Sequence, residues 1–235
     1  IENVPGVATL YGGRAKDEIL RMCDQMGYYC NYKVLYAPDY GIPQMRRRIF
    51  FVATKKRLGQ FDFPKPTLKK SSYISCKDAI GDLPSLKDLQ WQDEMSYRTK
   101  AKTIYQSRMR RGSKKIYNHI GTRHTQLVID VISQVPEGGN YKQLPPGVGT
   151  SRTFNEAWTR YHSKKPSKTI DTGHRNHFHY KWNRVPTVRE NARLQSFPDR
   201  FIIYGNKTEQ YKQVGNAVPP LLGKMLGLQI KKMLR

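Results

Sequence analysis

The apolar positions of the chain change character along its length. Over residues 14–27, Ile19, Met22, Cys23 and Met26 recur at three- and four-residue spacing with charges between them, which predicts an amphipathic helix ending at Gly27. Residues 29–37 are rich in Tyr and Val and predict a strand. A turn is expected at Pro38-Asp39-Tyr40-Gly41, then a second strand at Ile49-Phe50-Phe51-Val52-Ala53. That unbroken apolar run suits a sheet covered on both faces. The order strand, helix, strand, strand is the punctuation of an α/β sheet domain.

From residue 62 to about residue 183 the chain is Pro-, Lys- and Tyr-rich and mostly aperiodic. Its clearest helix is expected near 124–135, where Leu127, Val128, Val131 and Ile132 share a face and Pro136-Glu137-Gly138-Gly139 ends the run. Regular structure returns at Thr187-Val188-Arg189-Glu190, a capping box in which the Thr hydroxyl and the Glu carboxylate satisfy helix-end N–H groups reciprocally. From Pro219 on, Leu221, Leu222, Met225, Leu226, Ile230 and Met233 predict a helix with one face on the sheet. The expected organisation is therefore one α/β domain built from residues 1–61 and 184–235, with an irregular basic module inserted at 62–183.

Charge narrows the class. Lys and Arg number 42 against 18 Asp and Glu, a net charge of +24. So much like charge opposes compaction unless a polyanion is the partner, and 15 Tyr, 8 Phe and 3 Trp are interleaved with it. Nucleic-acid surfaces use that mixture for phosphate contacts and stacking. No run approaches the roughly 18 apolar residues of a membrane span, and no amphipathic basic helix suggests a membrane surface. The chain opens on Ile1-Glu2-Asn3-Val4, which is neither a signal peptide nor an initiator Met, so a longer parent polypeptide is expected. Cys23, Cys30 and Cys76 form no CxxC pair, which argues against a disulfide framework or a zinc site and for a reducing compartment. His174, His177 and His179 have only Asp171 as a nearby acid, so polar readout or structural hydrogen bonding is expected of them rather than metal binding.

Three blocks carry a resemblance. The first is Glu2-Asn3-Val4, and the second is Gln44-Met45-Arg46-Arg47-Arg48 just before a strand. The third comprises Arg184, Thr187, Arg189-Glu190, Ala192-Arg193-Leu194-Gln195 and Phe197-Pro198-Asp199, followed by Gln213-Val214-Gly215-Asn216-Ala217-Val218-Pro219-Pro220. Each has a plainer reading alone: a strand-end carboxylate, a solvated basic face, a helix cap, a tight turn. Together, in this order and spacing, they resemble the ENV, QxRxR and C-terminal motifs of the C5-cytosine DNA methyltransferases over nearly the whole chain.

The resemblance implies the C-terminal part of a Rossmann-like, S-adenosylmethionine (AdoMet)-dependent α/β domain with an inserted, smaller recognition domain. It implies base flipping in a specific sequence of double-stranded DNA, because carbon 6 of cytosine must be presented to a thiolate. Glu2 would face N3 and the exocyclic amine as a protonated acid or shared-proton partner. Arg48 would reach O2 with Arg46 close by, and Asn3 and Gln44 would support them. Asn216, Ala217 and Val218 would close over AdoMet. Lys168, Thr169, Arg175 and His177 are the candidate DNA readers in the recognition region, alongside Lys and Arg phosphate contacts.

Both the Gly-rich AdoMet loop and the Pro-Cys nucleophile of that family precede the ENV block, and here that block starts at residue 2. None of Cys23, Cys30 or Cys76 follows a Pro. An N-terminal half, on the same polypeptide or a separate subunit, is therefore expected as a partner. Two rival classes remain: a catalytically dead DNA-binding paralogue, and a tRNA C5-methyltransferase. The absence of a Cys-Phe-Thr signature weighs against the latter, and the retention of Glu2, Arg46 and Arg48 against the former. The family setting implies a cytoplasmic, nucleoid-associated enzyme of bacterial or phage origin, of the restriction-modification type.

Overall fold

Tyr, Val, Ile and Phe concentrate where the main sheet forms. β1 (Glu2–Asn3) pairs antiparallel with β3 (Arg47–Lys55), and β3 pairs antiparallel with β2 (Tyr28–Tyr36), so β3 is central. The computed structural model describes residues 1–86, 92–148, 157–173 and 176–234. The first expected helix is α1 (Arg14–Gln25), which buries Cys23 and ends before Gly27 at φ +82°. The expected turn is a 3-10 turn over Ala37–Tyr40, closed by Gly41 at φ +77°. Ile49, Phe50 and Phe51 are buried but Ala53 is exposed. Successive strand residues face opposite sides, so the sheet is covered on both faces only around Ile49–Phe51. The fold is mixed α/β.

The rest of the chain adds α2 (Cys76–Ile80), β4 (Glu94–Ser96), α3 (Ile104–Arg110), β5 (Lys115–Tyr117), α4 (Gln126–Gln134), β6 (Thr159–Arg160), β7 (His177–Phe178), α5 (Val188–Leu194), α6 (Lys207–Asn216) and α7 (Pro220–Met233). β4 and β5 form an antiparallel pair, and β6 and β7 a parallel one. The apolar face expected on α4 is divided: Ile132 is buried with Val135, Phe178 and Val185, whereas Leu127 is 74% exposed. A short helix lying at the edge of a small core can bury only one end of its stripe. α7 packs on the main sheet as its pattern predicts, with Leu222 against Leu35, Ala37, Tyr40, Ile42 and Phe50. Its second half is less covered, and Leu228 and Ile230 are exposed.

α5 is the element on which the parts converge. All seven of its residues are buried, including Arg189, Glu190, Asn191 and Arg193. Thr187 caps it in the expected box with Glu190. Leu194 lies in one core cluster with Cys76, Ile80, Tyr105, Met109, Tyr161 and Ile170. On another side, Val188 and Ala192 pack with Tyr211 and Val214 of α6. Leu221 of α7 packs against both the Leu194 cluster and the sheet cluster.

A buried charge is tolerable only when paired and hydrogen-bonded. The Arg193 guanidinium donates to both Asp199 oxygens at 2.8 and 2.6 Å, to Asp82 Oδ1, and to Ala79 O at 3.1 Å. Asp199 also accepts from Tyr97 Oη at 2.6 Å. Burial alone would raise the Asp199 carboxyl, but hydrogen bonds and charge from Arg193 outweigh it and hold the group below the usual carboxylate range. Glu190 is similar: burial opposes its ionisation, yet Arg184, donating at 2.7 Å to each oxygen, keeps it ionised. Against the same pair, burial drives His179 down to about 3, so it stays neutral and accepts from the N–H groups of Lys181 and Trp182 through Nδ1.

Removing one member of such a network strands the others. Arg193→Met is expected to lower unfolding stability by about 3–5 kcal/mol in urea titrations. Arg110→Met, which removes a more exposed partner of Asp82, should cost less. A loss below about 1 kcal/mol for Arg193→Met would mean that the buried carboxylates do not depend on it.

Candidate active site

Glu2 and Arg48 are brought together by strand register. β1 sets Glu2 opposite Phe50, anchored by the N–H of Phe51 donating to Ile1 O at 2.9 Å. Arg48 lies two residues along β3 from Phe50, so its side chain emerges on the same face. Arg48 Nε stands 2.9 Å from Glu2 Oε1, and the two side chains are 16% and 25% exposed. The contact is an ion pair more than a directed hydrogen bond: among the described residues no well-aligned donor reaches Glu2 Oε1. Burial pulls the Arg48 pKa down and Glu2 opposes that shift.

Arg46, two residues earlier, is 2% exposed. Its Nη2 donates to Gly215 O at 2.9 Å, while Nε and Nη1 have no partner among the described residues. Burial, then repulsion from Arg48, lowers it to about 10, with Glu2 acting the other way. A guanidinium in this condition remains charged at neutral pH and holds two unspent, buried donors near the Glu2–Arg48 pair. Arg47 points elsewhere and stacks over the Tyr36 ring at 4.3 Å. Asn3 turns back to accept from Val4 N at 2.8 Å, so it shapes the end of β1.

Gln44 is fully buried at a junction. Its Oε1 accepts from Ile170 N at 3.1 Å, and its Nε2 donates to Gln195 Oε1. Around it the backbone is zipped to residues 167–169: Met45 N donates to Ser167 O at 2.7 Å, Ser167 N to Pro43 O at 3.0 Å, and Thr169 Oγ1 to Met45 O at 2.8 Å. Thr169 thus supports the Gln44–Arg48 loop from an exposed position, with the half-buried Lys168 beside it. His177 is buried, its ring stacked on Tyr161 at 5.3 Å, so it is packed inside the module and not displayed on it. His174 and Arg175 lie outside the described residues.

The segment Asn216-Ala217-Val218 sits at the end of α6, where Asn216 is exposed and its two successors are half-buried. It is joined to the site through Gly215, Gln195 and Arg46. Gln195 and Gly215 are residues that sequence reasoning passed over as individuals. A buried Gln has no periodic signature, and its role becomes visible only when four distant segments meet around it. Among the described residues no group of three or more His, Cys, Asp or Glu could hold a metal ion. No helix is long and apolar enough to cross a membrane, again among the described residues.

A profile of the C-5 cytosine-specific DNA methylases matches residues 1–232. The chain is 35% identical over 233 residues to the type II methyltransferase M1.HphI of Haemophilus parahaemolyticus, covering 99% of this chain and 56% of that protein. It is 34% identical over 255 residues to the type II methyltransferase M.DdeI of Desulfomicrobium norvegicum, covering 98% and 61%. It therefore spans somewhat more than half the length of these relatives. A solved Escherichia coli structure, described as a prophage-encoded DNA modification methyltransferase, superposes with a TM-score of 0.79 over 99% of this chain and 68% of its own, at 24% identity, which speaks to the fold. With the profile matched from end to end over a mixed α/β fold, the chain belongs to the C-5 cytosine-specific DNA methylase family.

Proposed function

We propose that this chain forms the part of a DNA cytosine-5 methyltransferase that holds the N3/O2 edge of a flipped cytosine and reads the surrounding duplex. The observation that carries it is the largely buried Glu2–Arg48 pair, with two uncommitted donors of the buried Arg46 nearby. A thiolate adding to carbon 6 of cytosine drives electron density onto N3 and O2. Glu2, protonated when the base is bound, shares that proton with N3, and Arg48 stabilises the charge that grows on O2. Both side chains are largely buried, and such groups are most effective where water is excluded. Arg46 adds positive potential and holds the loop. The thiolate is not available here, since Cys23 and Cys76 are buried and burial pushes Cys30 up to about 11. It is assigned to a Cys of a complementary N-terminal half.

AdoMet supplies an electrophilic methyl group for carbon 5. The residues here fit a closing role toward it: Asn216 presents an exposed carboxamide, while the neighbouring carbonyls of Val214, Gly215 and Ala217 are tied inward. Residues 62–183 serve as the recognition module and 1–61 with 184–235 as catalytic-domain segments, with α5 sunk into the module as the joint between them. Lys168 and Thr169 are assigned to the DNA-facing side, and His177 supports them from within.

In the holoenzyme, Glu2→Gln is expected to lower kcat by about two or more orders of magnitude, the usual loss on removing a general acid. Duplex binding should change far less. A variant turning over at near-normal rate would return Glu2 to the status of a strand-end carboxylate. Transfer to tRNA instead of duplex DNA would reassign the substrate.

The net charge of +24 makes binding depend on displaced counterions. At about −0.9 per phosphate contact, a log–log slope of roughly −4 or steeper is expected between low and physiological salt. A flat response in a fluorescence-anisotropy titration of duplex DNA contradicts the assignment.

A further inference from the structure

The closing segment 214–221 is gripped by side chains from outside it. Gln195 Nε2 donates to Val214 O at 3.1 Å and to Ala217 O at 2.7 Å. Ser196, the next residue, accepts from Leu221 N through Oγ at 3.1 Å, at the start of α7. Arg46 takes Gly215 O. Gln195 Oε1 in turn accepts from Gln44, whose own Oε1 receives Ile170 N. Two carboxamides in series, those of Gln44 and Gln195, therefore connect the QxRxR loop, the recognition segment at 167–171 and the closing segment.

Two further features show that this grip constrains the backbone tightly. Ser196 sits at φ +72°, a left-handed conformation that Ser adopts at a cost, while it is 1% exposed. The strain is tolerated where it turns the chain so that consecutive residues hold opposite ends of the closing segment. At Gly215 a Cβ would lie 2.2 Å from Asp171 O, so the backbones of α6 and the recognition segment touch. Movement of either is transmitted to the other.

We infer that Gln195 is a positioning residue that, with Ser196, clamps the segment carrying Asn216 to Val218 in register with Gln44 and Arg46, so that cofactor closure depends on how the recognition segment is seated. Gln195 touches neither base nor cofactor, and acts through the four backbone groups that it and Ser196 and Arg46 hold. The inference rests on the methyltransferase reading above and deepens it by naming what aligns the cofactor-side segment with the base-side arginines.

Gln195→Glu separates clamp from bulk. A carboxylate keeps the acceptor for Gln44 but cannot donate to Val214 O or Ala217 O; protonated, it can donate again. Burial against two carbonyls favours the protonated form, so the carboxyl will titrate above the usual range. In the holoenzyme, calorimetry with S-adenosylhomocysteine should give a dissociation constant raised roughly tenfold or more near pH 8, the scale expected when buried carbonyls lose their donor. The defect should shrink as pH falls toward about 6, because protonation restores donation. Duplex affinity should stay near the parental value. Equal cofactor affinity for parent and variant at both pH values overturns the inference, as does a defect that does not change with pH. If Gln195→Glu fails to fold, Ser196→Ala decides: it should weaken S-adenosylhomocysteine binding by about threefold or more, the lower range for one lost hydrogen bond. Unchanged binding overturns the inference. Product analysis of the parental enzyme keeps the two readings apart: no 5-methylcytosine in duplex DNA defeats the proposed function, whereas normal 5-methylcytosine with an unperturbed Gln195→Glu variant defeats only the clamp.

Discussion

A helix buried on every side with charged residues in it can exist only if each charge is answered. α5 imposes that constraint, and much of the molecule is arranged to meet it. Ala79 O and Asp82 from one stretch, Tyr97 from a second and Asp199 from a third complete the Arg193 network. Tyr117, Pro198 and Phe201 offer carbonyls to Arg189, and Arg184 neutralises Glu190. Apolar residues could fill the same volume at lower desolvation cost. The polar solution instead permits few alternative registers, which suits a joint that must hold two regions in one relation.

The site follows from that joint. Strand pairing fixes Arg48 relative to Glu2, a local and rigid arrangement, and Arg46, just before β3, is held by the loop backbone and by Gly215 O. The segment 214–221 has no such ladder. It is held by side-chain hydrogen bonds radiating from the end of α5 and from Arg46. Glu2 and Arg48 are thus held by the sheet, and the segment 214–221 by a polar hub.

How much of this could be read beforehand depended on whether the signal was local. α1, the two long strands and α7 are amphipathic or continuously apolar, and their patterns located them to within a few residues. The Thr187–Glu190 box is a four-residue signal and was equally legible. Strands of two or three residues such as β6 and β7 are too short to have a period, so nothing announced them. The exposure of Leu127 was not legible either, since a helical stripe says which residues share a face but not how far the core beneath it extends. For the site, motif resemblance singled out Glu2, Arg46 and Arg48, and the geometry brings the three together. Gln195, Ser196 and Gly215 carried no separate signal because their partners lie 19 or more residues away, as Val214 does from Gln195, or 169 away, as Arg46 does from Gly215.

The central claim is that Glu2 and Arg48 act together on one edge of the target base. A double-mutant cycle on kcat, using Glu2→Gln, Arg48→Lys and the combined variant of the holoenzyme on duplex DNA, measures that directly. If the two groups stabilise the same developing charge, the double variant will be little slower than the worse single variant. Fully additive losses, or an Arg48→Lys enzyme as fast as the parent, would contradict the account.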